Sequence, residues 1–358
     1  MTRVPAVLCG LLLVPAFPAA AATTTVSNGD ALWKALKAAA PGDVVQLASG
    51  TYPVMRFDHF VKAAPGVTVR AAPGARPVLG GLVMDGAEGL NFTGFEIAIS
   101  DPKIQFGANV SDSQRIRFDR LTVHRSEGAK GAGGGVGVFL RLTSDASVTN
   151  SEFYNLGVGT VLLDDRTILV KGNRYHDLET DGVDVAGTID PTIDGNSFTD
   201  FYPAPGDHPD AIQFWATNIN PVGKNAVVTN NVIRRGKGEP MPMQGIFAEN
   251  QANMIIRGNG MVCTLYNGIS VARTATALIE DNFVQACPDY GTRIIARDGS
   301  SDVTVRNNQI TDKVIDLHQA TDKDNVRFSM KGNVNIAGTK VGDSTAMDAW
   351  LAKRPAAH

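Results

Sequence analysis

The chain has 358 residues, of which 43% are hydrophobic and 19% are charged. These proportions supply ample apolar side chains for a core, so they exclude an intrinsically disordered chain. The formal net charge is −3, which excludes the overall basic surface typical of a nucleic-acid-binding protein, and we expect no nucleic-acid partner. Glycine is abundant, at 37 residues, and aromatic residues make up only 7%, which favours turns and stacked strands over a helical bundle.

The first 22 residues have the features of a secretory signal peptide. Arg3 gives a short positive start, an apolar run follows over residues 7–14, and the alanines at residues 19–22 offer a small-residue cleavage site. No later segment approaches about 18 consecutive apolar residues, so the mature chain is expected to have no membrane span. We therefore expect a secreted protein, periplasmic or extracellular, that does not associate with a membrane once the signal is removed.

A short pattern recurs along the chain: an apolar residue, any residue, a polar residue or glycine, and then asparagine. Its asparagines follow one another at intervals of 23 to 35 residues, and they are Asn173, Asn196, Asn231, Asn259, Asn282, Asn308 and Asn333. Between them lie short runs with apolar residues at alternate positions, such as Val303 and Val305, which is the period of a β-strand. The pattern therefore predicts repeated structural units built from strands, and such units stack into a solenoid.

The interval is too short for a propeller blade, and the calcium-binding glycine repeat of some β-helices does not occur. The sequence thus predicts an all-β fold, a right-handed parallel β-helix of about ten or eleven coils, with one coil per repeat. The recurring asparagines are expected to stack at a turn, in left-handed backbone conformation, with their amides bonded up and down the stack. The alternative is that they mark independent hairpins.

A solenoid must cover the open end of its core. Residues 28–40 have the pattern of an amphipathic helix with Leu32 and Leu36 on one face, and either Asn28 or Asp30 suits its N-cap. We expect this helix to cap the first coil. The predicted organisation is a signal peptide (residues 1–22), one β-helix domain including the cap (23–342), and a C-terminal cap or tail (343–358).

Two cysteines remain after the signal peptide is removed. Cys263 and Cys287 are 24 residues apart, which is about one coil, and neighbouring coils lie ~4.8 Å apart. That spacing suits a disulfide, and a secreted protein meets an oxidising environment. A reactive free thiol is the alternative.

The longest repeats lie between Asn196 and Asn259, and their extra residues form loops that can enclose a groove. Strands in this stretch are aligned by their inward-pointing apolar residues. One outward row is then predicted to contain Asp184, Gln213, Phe247 and Ser270, continued by Arg293. A second row, one bend earlier, is predicted to contain Asp181, Asp210, Gln244 and Asn267.

Carboxylates one coil apart repel each other, so the site must share a proton, bind a cation or hold a base nearby. Calcium is the cofactor considered, no organic cofactor is expected, and the candidate calcium ligands are Asp181, Asp184, Asp207 and Asp210. The same carboxylates are alternatively an acid and base pair. His208 is a candidate general base. Each aspartate also has a structural alternative, since an aspartate at a bend often only caps a turn.

These residues carry a resemblance to the pectate-lyase-like β-helix superfamily. Residues 30–52 resemble the N-terminal cap of chondroitinase-B-like and alginate-lyase-like proteins. The Asp-His-Pro-Asp segment at 207–210, followed by Gln-Gly-Ile at 244–246, is similar to motifs of mannuronan C5-epimerases. The Thr-Asp-Gly-Val-Asp segment at 180–184 is similar to a polygalacturonase motif. The resemblance implies the parallel β-helix fold and an enzyme that acts on an acidic polysaccharide.

The leading hypothesis is a monomeric polysaccharide lyase, or a related C5-epimerase, acting on a uronic-acid-containing glycan. Alternatives are an inverting glycoside hydrolase and a non-catalytic glycan-binding solenoid. The candidate catalytic residues are His208, Asp210, Asp181, Asp184, Arg234 and Tyr266. The candidate substrate-binding residues are Gln213, Trp215, Gln244, Lys237, Arg273, Arg293 and Tyr290.

Overall fold

The structure is a computed structural model, and it describes residues 21–126, 134–216, 221–236, 243–311, 331–335 and 344–354. Most of the signal peptide, and Lys237, lie outside these ranges. The described residues contain two short helices, α1 (Gly29–Ala38) and α2 (Thr345–Ala352), and are otherwise dominated by strands. Neither helix is long and apolar enough to cross a membrane.

The strands are short and follow one another closely. The first eleven are β1 (Thr23–Val26), β2 (Val44–Leu47), β3 (Gly50–Asp58), β4 (Val67–Ala71), β5 (Pro77–Asp85), β6 (Glu88–Thr93), β7 (Glu96–Ile99), β8 (Phe106–Ser111), β9 (Gln114–Asp119), β10 (Thr122–Arg125) and β11 (Val136–Arg141). The next eleven are β12 (Ser144–Thr149), β13 (Glu152–Tyr154), β14 (Val158–Leu163), β15 (Arg166–Lys171), β16 (Arg174–His176), β17 (Val183–Ala186), β18 (Ile189–Asp194), β19 (Ser197–Thr199), β20 (Asp210–Phe214), β21 (Gly223–Lys224) and β22 (Val227–Thr229). The last eleven are β23 (Val232–Arg234), β24 (Gln244–Glu249), β25 (Gln251–Arg257), β26 (Gly260–Val262), β27 (Asn267–Ala272), β28 (Ala275–Glu280), β29 (Phe283–Gln285), β30 (Arg293–Arg297), β31 (Ser301–Arg306), β32 (Gln309–Ile310) and β33 (Val334–Asn335).

Every strand pairs in parallel with the equivalent strand of the next coil, which gives three faces. The first face contains β1, β2, β4, β6, β9, β12, β15, β18, β21, β22, β25, β28 and β31. The second contains β3, β5, β8, β11, β14, β17, β20, β24, β27 and β30, and the third contains β7, β10, β13, β16, β19, β23, β26, β29, β32 and β33. This arrangement of about ten coils confirms the predicted parallel β-helix.

The core lies inside the coils, because alternate residues of each strand point inward. Identical positions stack from coil to coil, as the rings of Phe153, Tyr175 and Phe198 do, with centroids 5.0 Å apart in both steps. All three side chains are fully buried. Burial of such a ring contributes about 1.5–3 kcal/mol, so this column stabilises the coils that present the groove.

The recurring asparagines form one continuous ladder at a turn. The side chain of Asn196 donates to Asn231 at 3.0 Å, and Asn231 donates to Asn259 at 3.0 Å. Stacking of the asparagines is therefore confirmed, but the expected left-handed conformation is wrong for the ladder residues. The positive φ belongs to the residue before each of them, such as Asn230 at 57° and Gly258 at 68°. The ladder asparagine then turns inward and bonds its neighbours.

Helix α1 lies at the N-terminal end, with Leu32 and Leu36 buried against the core. Asn28 is the N-cap residue, since its side chain accepts the backbone N–H of Ala31 at 2.9 Å. Helix α2 packs on the third face against β26 and β29, where Met347 is fully buried. The domain boundaries at 22, 342 and 358 stay predictions.

The disulfide between Cys263 and Cys287 is present, which confirms that expectation over a free thiol. The two residues follow β26 and β29, so the bond joins neighbouring coils, with Cα atoms 4.5 Å apart. Both cysteines are buried beneath α2 together with Met347. The disulfide therefore belongs to the third face and not to the groove.

Candidate functional site

The second face presents two outward rows over the coils with the longest loops. Asp184 pairs with Gln213, Gln213 with Phe247, and Phe247 with Ser270, as the sequence predicts. Arg293 does not continue this row. It pairs with Asn267 in the other row, because the register shifts between Asn267 and Ile269.

Three carboxyl groups meet where β17 and β20 begin. The backbone N–H of Asp210 donates to Asp181 Oδ1 at 2.6 Å, and Gln213 Nε2 donates to Asp210 Oδ2 at 3.0 Å. Asp210 is 1% exposed. Asp210 Oδ1 and Asp184 Oδ1 have no hydrogen-bond partner among the described residues. The cluster is therefore a buried acidic group in which some oxygens lack a protein donor.

Burial disfavours the charged form of each of these acids. It raises the pKa of Asp181 to about 6, although the N–H of Asp210 opposes the change. Burial, together with the nearby Asp181 and Asp210, raises the pKa of Asp184 well above its usual range. Burial and the charge of Asp181 also raise the pKa of Asp210 well above its usual range, and the bond from Gln213 lowers it only in part. These shifts favour the protonated forms of the three acids.

A cavity of about 190 Å³ opens beside Asp210. Its lining residues are His208, Asp210, Gln213, Gln244, Phe247, Tyr266, Asn267 and Arg297. The cavity thus combines an acid, three amides, an imidazole, a phenol and a guanidinium around one space. A larger cavity of about 490 Å³ lies between α1 and the first strands, but apart from Lys34 and Asp43 its lining side chains are uncharged, and all but Thr24 of these are apolar.

A chain of amides holds the imidazole in place. Asn267 Nδ2 donates to Gln244 Oε1, and Gln244 Nε2 approaches His208 Nδ1 at 3.4 Å. An amide nitrogen can only donate, so this contact is a hydrogen bond in the imidazole tautomer whose Nδ1 is unprotonated. This contact is longer than the usual 2.7–3.2 Å or so, and an incoming ligand can therefore displace it at little cost.

Basic and aromatic side chains form the opposite wall. The guanidinium of Arg297 lies 5.4 Å from the ring of Phe247, and that of Arg293 lies 5.9 Å from the ring of Tyr266. Tyr266 is 47% exposed, which is unusual for a large aromatic residue. This wall can contact a ligand that carries both an apolar face and a negative charge.

Several predicted site residues do not reach this cavity. Arg234 is on β23 of the third face, where it donates to Ser344 and Asp348 and so holds the C-terminal helix. Arg273 lies beyond the end of β27 and is paired with Glu249. Tyr290 lies under Arg235, near the disulfide. Trp215 follows β20. The sequence pattern located each of them near the groove along the chain but did not reveal which face of the coil it occupies.

The expected calcium site is not formed by these side chains as they lie. No group of three or more acidic, histidine or cysteine residues in the described ranges is arranged as metal ligands. Asp181 and Asp210 direct oxygens at protein donors, and Asp207 Oδ1 accepts the backbone N–H of His208 at 2.9 Å. Asp184 Oδ1 and Asp210 Oδ1 still lack a donor among the described residues, so calcium binding by Asp181, Asp184, Asp207 and Asp210 stays a prediction.

Two residues of the cavity had no assigned role in the sequence-based site. Arg297 ends β30, and Asn267 begins β27 with its side chain 3% exposed. Asn267 was already aligned with Gln244 in the second row, so its place was available from the sequence. Arg297 could have been found from its position four residues after Arg293, which returns to the same face of a strand.

The chain resembles solved structures of carbohydrate-active proteins in fold. A lacto-N-biosidase from Eubacterium ramulus matches with a TM-score of 0.61 at 14% identity, over 88% of this chain and 68% of that one. A mannuronan C-5 epimerase module from Azotobacter vinelandii matches with a TM-score of 0.55 at 13% identity, over 86% and 93% of the two chains. A mannuronic acid-specific family 6 polysaccharide lyase from human gut microbiota matches with a TM-score of 0.53 at 12% identity, over 86% of this chain and 82% of that one.

No curated protein sequence matches the chain. The sequence identity to these solved structures is too low for their activities to be compared with this chain, so the likeness establishes the fold alone. The sequence also matches the family described as the right handed beta helix region, over residues 80–204 and 136–334. These matches together cover more than half of the chain, which therefore belongs to the right-handed β-helix family.

Proposed function

We propose that this chain is a polysaccharide lyase that cleaves a uronic-acid-containing glycan by β-elimination. One observation carries the proposal: the cavity gathers His208, Tyr266 and Arg297 around a single space, beside neutral hydrogen-bond donors. Elimination needs a base for the proton at C5, an acid for the leaving oxygen and a means to neutralise the uronate carboxylate. The cavity contains a candidate for each.

Carboxylate neutralisation is assigned to Arg297 together with Asp210. Burial and the charge of Asp181 raise the pKa of Asp210 well above its usual range, which favours the protonated form, and in that form the carboxyl group acts as a hydrogen-bond donor. Its Oδ1 has no partner among the described residues and is buried, so a uronate carboxylate can accept that proton only after the carboxyl group turns toward the cavity. Gln213 fixes the other oxygen of Asp210, which orients the donor.

The proton transfers are assigned to His208 and Tyr266. His208 Nδ1, which carries no proton, takes the C5 proton, and the electron pair of that C–H bond forms the C4–C5 double bond. The C4–O bond breaks, and the Tyr266 hydroxyl gives its proton to the leaving oxygen. Proton exchange through water then restores both residues. General acid–base catalysis of this kind typically contributes about 10²–10⁴ in rate.

Epimerisation shares the first half of this reaction. After His208 removes the C5 proton, a proton returned to the opposite face of the sugar would invert C5 without cleavage. Tyr266 is oriented by the Arg293 guanidinium and is the residue that could return it. The outcome depends on whether the C4–O bond breaks first.

Inverting hydrolysis is the second candidate, and the raised pKa values of Asp184 and Asp210 favour it. A hydrolase needs a protonated carboxyl and a second carboxylate on the other side of the bond, about 6.5–9.5 Å away. Of the three clustered acids, only Asp210 lines the cavity. The elimination mechanism gives a role to more of the residues that line the cavity, so we retain it as the main proposal.

The deciding experiment incubates the mature chain, from residue 23, with alginate, pectate, glucuronan, hyaluronan and chondroitin. We expect ultraviolet absorbance from 4,5-unsaturated uronate ends to rise on at least one polymer. The matched control is His208→Ala, which should give no rise. New reducing ends without this absorbance would indicate hydrolysis, and a changed C5 configuration without cleavage would indicate epimerisation. Either result would overturn the lyase assignment.

The proposal takes the chain as a secreted monomer whose partner is an acidic polysaccharide. It requires no organic cofactor, and it assigns no step to calcium. Size-exclusion chromatography with light scattering, and fractionation of the source cells, would test the monomer and the secretion respectively.

A further inference from the structure

The outer surface of the second face changes character just before the acidic cluster. In the three coils that precede Asp181, two of the outward rows of β8, β11 and β14 are apolar except for Asn109, and a third row contains Ser111, Arg141 and Leu163. One row contains Phe106, Val136 and Val158. The other contains Asn109, Phe139 and Val161. We call these six residues the apolar strip.

The apolar strip is continuous with the site. Val161 pairs with Asp184, which places the second row of the strip in line with the acidic cluster. Asp181 lies three residues before Asp184 on the same coil, and Val158 lies three residues before Val161. With coils ~4.8 Å apart, the strip extends ~14 Å from the cluster along the solenoid axis. A glycan seated in the cavity and running along the axis would therefore lie on these residues.

Two aromatic rings belong to the partly exposed part of the strip, together with Asn109, Val136 and Val158, whereas Val161 is buried. Phe106 and Phe139 are both partly exposed, and their centroids lie 5.1 Å apart with the ring planes inclined by 47°. An outward face of a β-helix is normally polar, and contiguous exposed apolar surface marks a binding site in many proteins. The C–H bonds on one face of a pyranose ring are apolar and stack on such rings.

The two ends of the groove differ in charge. The six residues of the apolar strip contain no charged side chain, whereas Arg297 lines the cavity and Arg293 lies beside Tyr266. A carboxylate placed on the strip would lose water without gaining a cation, which is costly. Two cations border the strip. Arg141 lies two residues after Phe139 and its side chain is exposed, and Arg125 donates to the carbonyl of Ile104 at 2.9 Å, beside the Phe106 row.

We propose that the apolar strip is a subsite that stacks an uncharged sugar residue of the same glycan whose uronate occupies the cavity. The inference rests on the proposed function and narrows its substrate. The preferred glycan is a heteropolysaccharide in which uronates are separated by uncharged sugars, rather than a polymer of uronates alone. Asn109 supplies one amide for the hydroxyls of the stacked sugar.

The test compares Phe139→Ala with the wild type on hyaluronan and unsulfated chondroitin, which alternate uronate with uncharged sugar, and on pectate and alginate. We expect the wild type to prefer the alternating polymers. Phe139→Ala should raise KM on them about tenfold and leave kcat within twofold, since the ring contacts no reacting atom. Arg141→Ala is the matched control from the same strand and should leave KM unchanged.

A rise in KM with Arg141→Ala but not with Phe139→Ala would mean that the subsite takes a charged sugar, and it would overturn the inference. A lower melting temperature for Phe139→Ala with unchanged KM would assign the ring to packing, with the same consequence.

Binding separates this inference from the proposed function. The His208→Ala variant should be retarded by hyaluronan in affinity electrophoresis, and adding Phe139→Ala should abolish the retardation. Retardation of a wild type that cleaves nothing would refute the lyase and retain the subsite. Cleavage that is indifferent to Phe139 would retain the lyase and refute the subsite. A wild type that neither cleaves nor is retarded by any of the four polymers would overturn both.

Discussion

The backbone N–H of Asp210 donates to the carboxyl group of Asp181 across two adjacent coils, at 2.6 Å. This bond allows two acids to lie one coil apart in a buried place, because it stabilises one carboxylate oxygen while burial favours the protonated form of its neighbours. Asp210 becomes a donor where an isolated aspartate would be an acceptor. Strongly shifted acids next to a cavity are typical of functional sites, and here the shift has a definite use.

The neutral state of Asp210 leads to a prediction that separates elimination from hydrolysis. Asp210→Asn retains a neutral hydrogen-bond donor of nearly the same shape, so a lyase should lose no more than about tenfold in kcat/KM, whereas Asp210→Ala should lose about a hundredfold or more. Steady-state rates of unsaturated product formation would measure both values. An Asn variant as inactive as the Ala variant would show that a titrating carboxyl is required, as in a hydrolase.

His208 should be needed for turnover and not for binding. His208→Ala removes the base, so kcat should fall about 10³-fold, within the usual range for general base catalysis. Affinity electrophoresis with the cleaved polymer should show unchanged retardation, because the cationic and aromatic wall is intact. Gln244→Leu is the companion variant. It removes the contact at 3.4 Å and should reduce kcat less than tenfold, through a less ordered imidazole.

Much of the fold could be predicted from the sequence because the interactions that define it repeat. Each ladder asparagine occupies the same position in its coil, and the apolar residues on either side alternate with the strand period. The helix at residues 29–38 was recognisable from the spacing of Leu32 and Leu36 and from Asn28. The sequence placed the left-handed backbone conformation on the ladder asparagine, one position too late. Asparagine suits both the left-handed position and the ladder position, and only the hydrogen bonds in the structure distinguish the two.

The site was less predictable, because proximity in a coil does not determine the face. Arg234 ends a strand just as Arg297 does, yet the first bonds to α2 and the second lines the cavity. The register irregularity at residues 267–269 moved Arg293 by one row, and no sequence signal marks it. The acidic rows were found because their spacing repeats between two coils.

The asparagine ladder should be a major source of stability. Asn231→Ala would leave the backbone N–H of Asn196 and the carbonyl of Ile193 buried without their partners. Each such group costs about 1–3 kcal/mol, so the unfolding free energy should fall by about 3 kcal/mol or more. Chemical denaturation would measure it. Asn253→Gly, at an exposed position with φ of 58°, is the control and should change stability little. Equal effects of the two would contradict the role of the ladder.

Chelation should leave the protein unchanged. The described residues contain no group of acids, histidines or cysteines arranged as metal ligands, so we expect EDTA treatment to preserve both the melting temperature and turnover of the cleaved polymer. The control is a titration with CaCl₂ after chelation, which should have no effect on either measurement. A loss of activity that calcium restores would show that the cluster rearranges around the ion and would overturn the mechanism given for Asp210.

A second buried acid predicts how stability varies with pH. Asp165 lies at another turn, 2% exposed, in a column that otherwise uses hydroxyl side chains such as Thr143 and Thr188. Burial raises its pKa to about 7, although the backbone N–H groups of Thr143 and Leu163 oppose the change. Because the folded-state pKa is above the unfolded value, the folded protein binds the extra proton. Stability from this group is therefore present at low pH and is lost as pH rises from about 4 to about 7.

Asp165→Thr should remove that loss, because a threonine hydroxyl can fill the column as its neighbours do and does not ionise. The melting temperature of the variant relative to the wild type should increase between pH 4 and pH 8, by the equivalent of at most about 4 kcal/mol. Thr188→Ser changes the same column without a titrating group, so the difference between its melting temperature and that of the wild type should be the same at pH 4 and at pH 8. A wild type and an Asp165→Thr variant with parallel pH profiles would show that this carboxyl ionises in the folded protein without penalty, and that its two backbone donors fully compensate for burial.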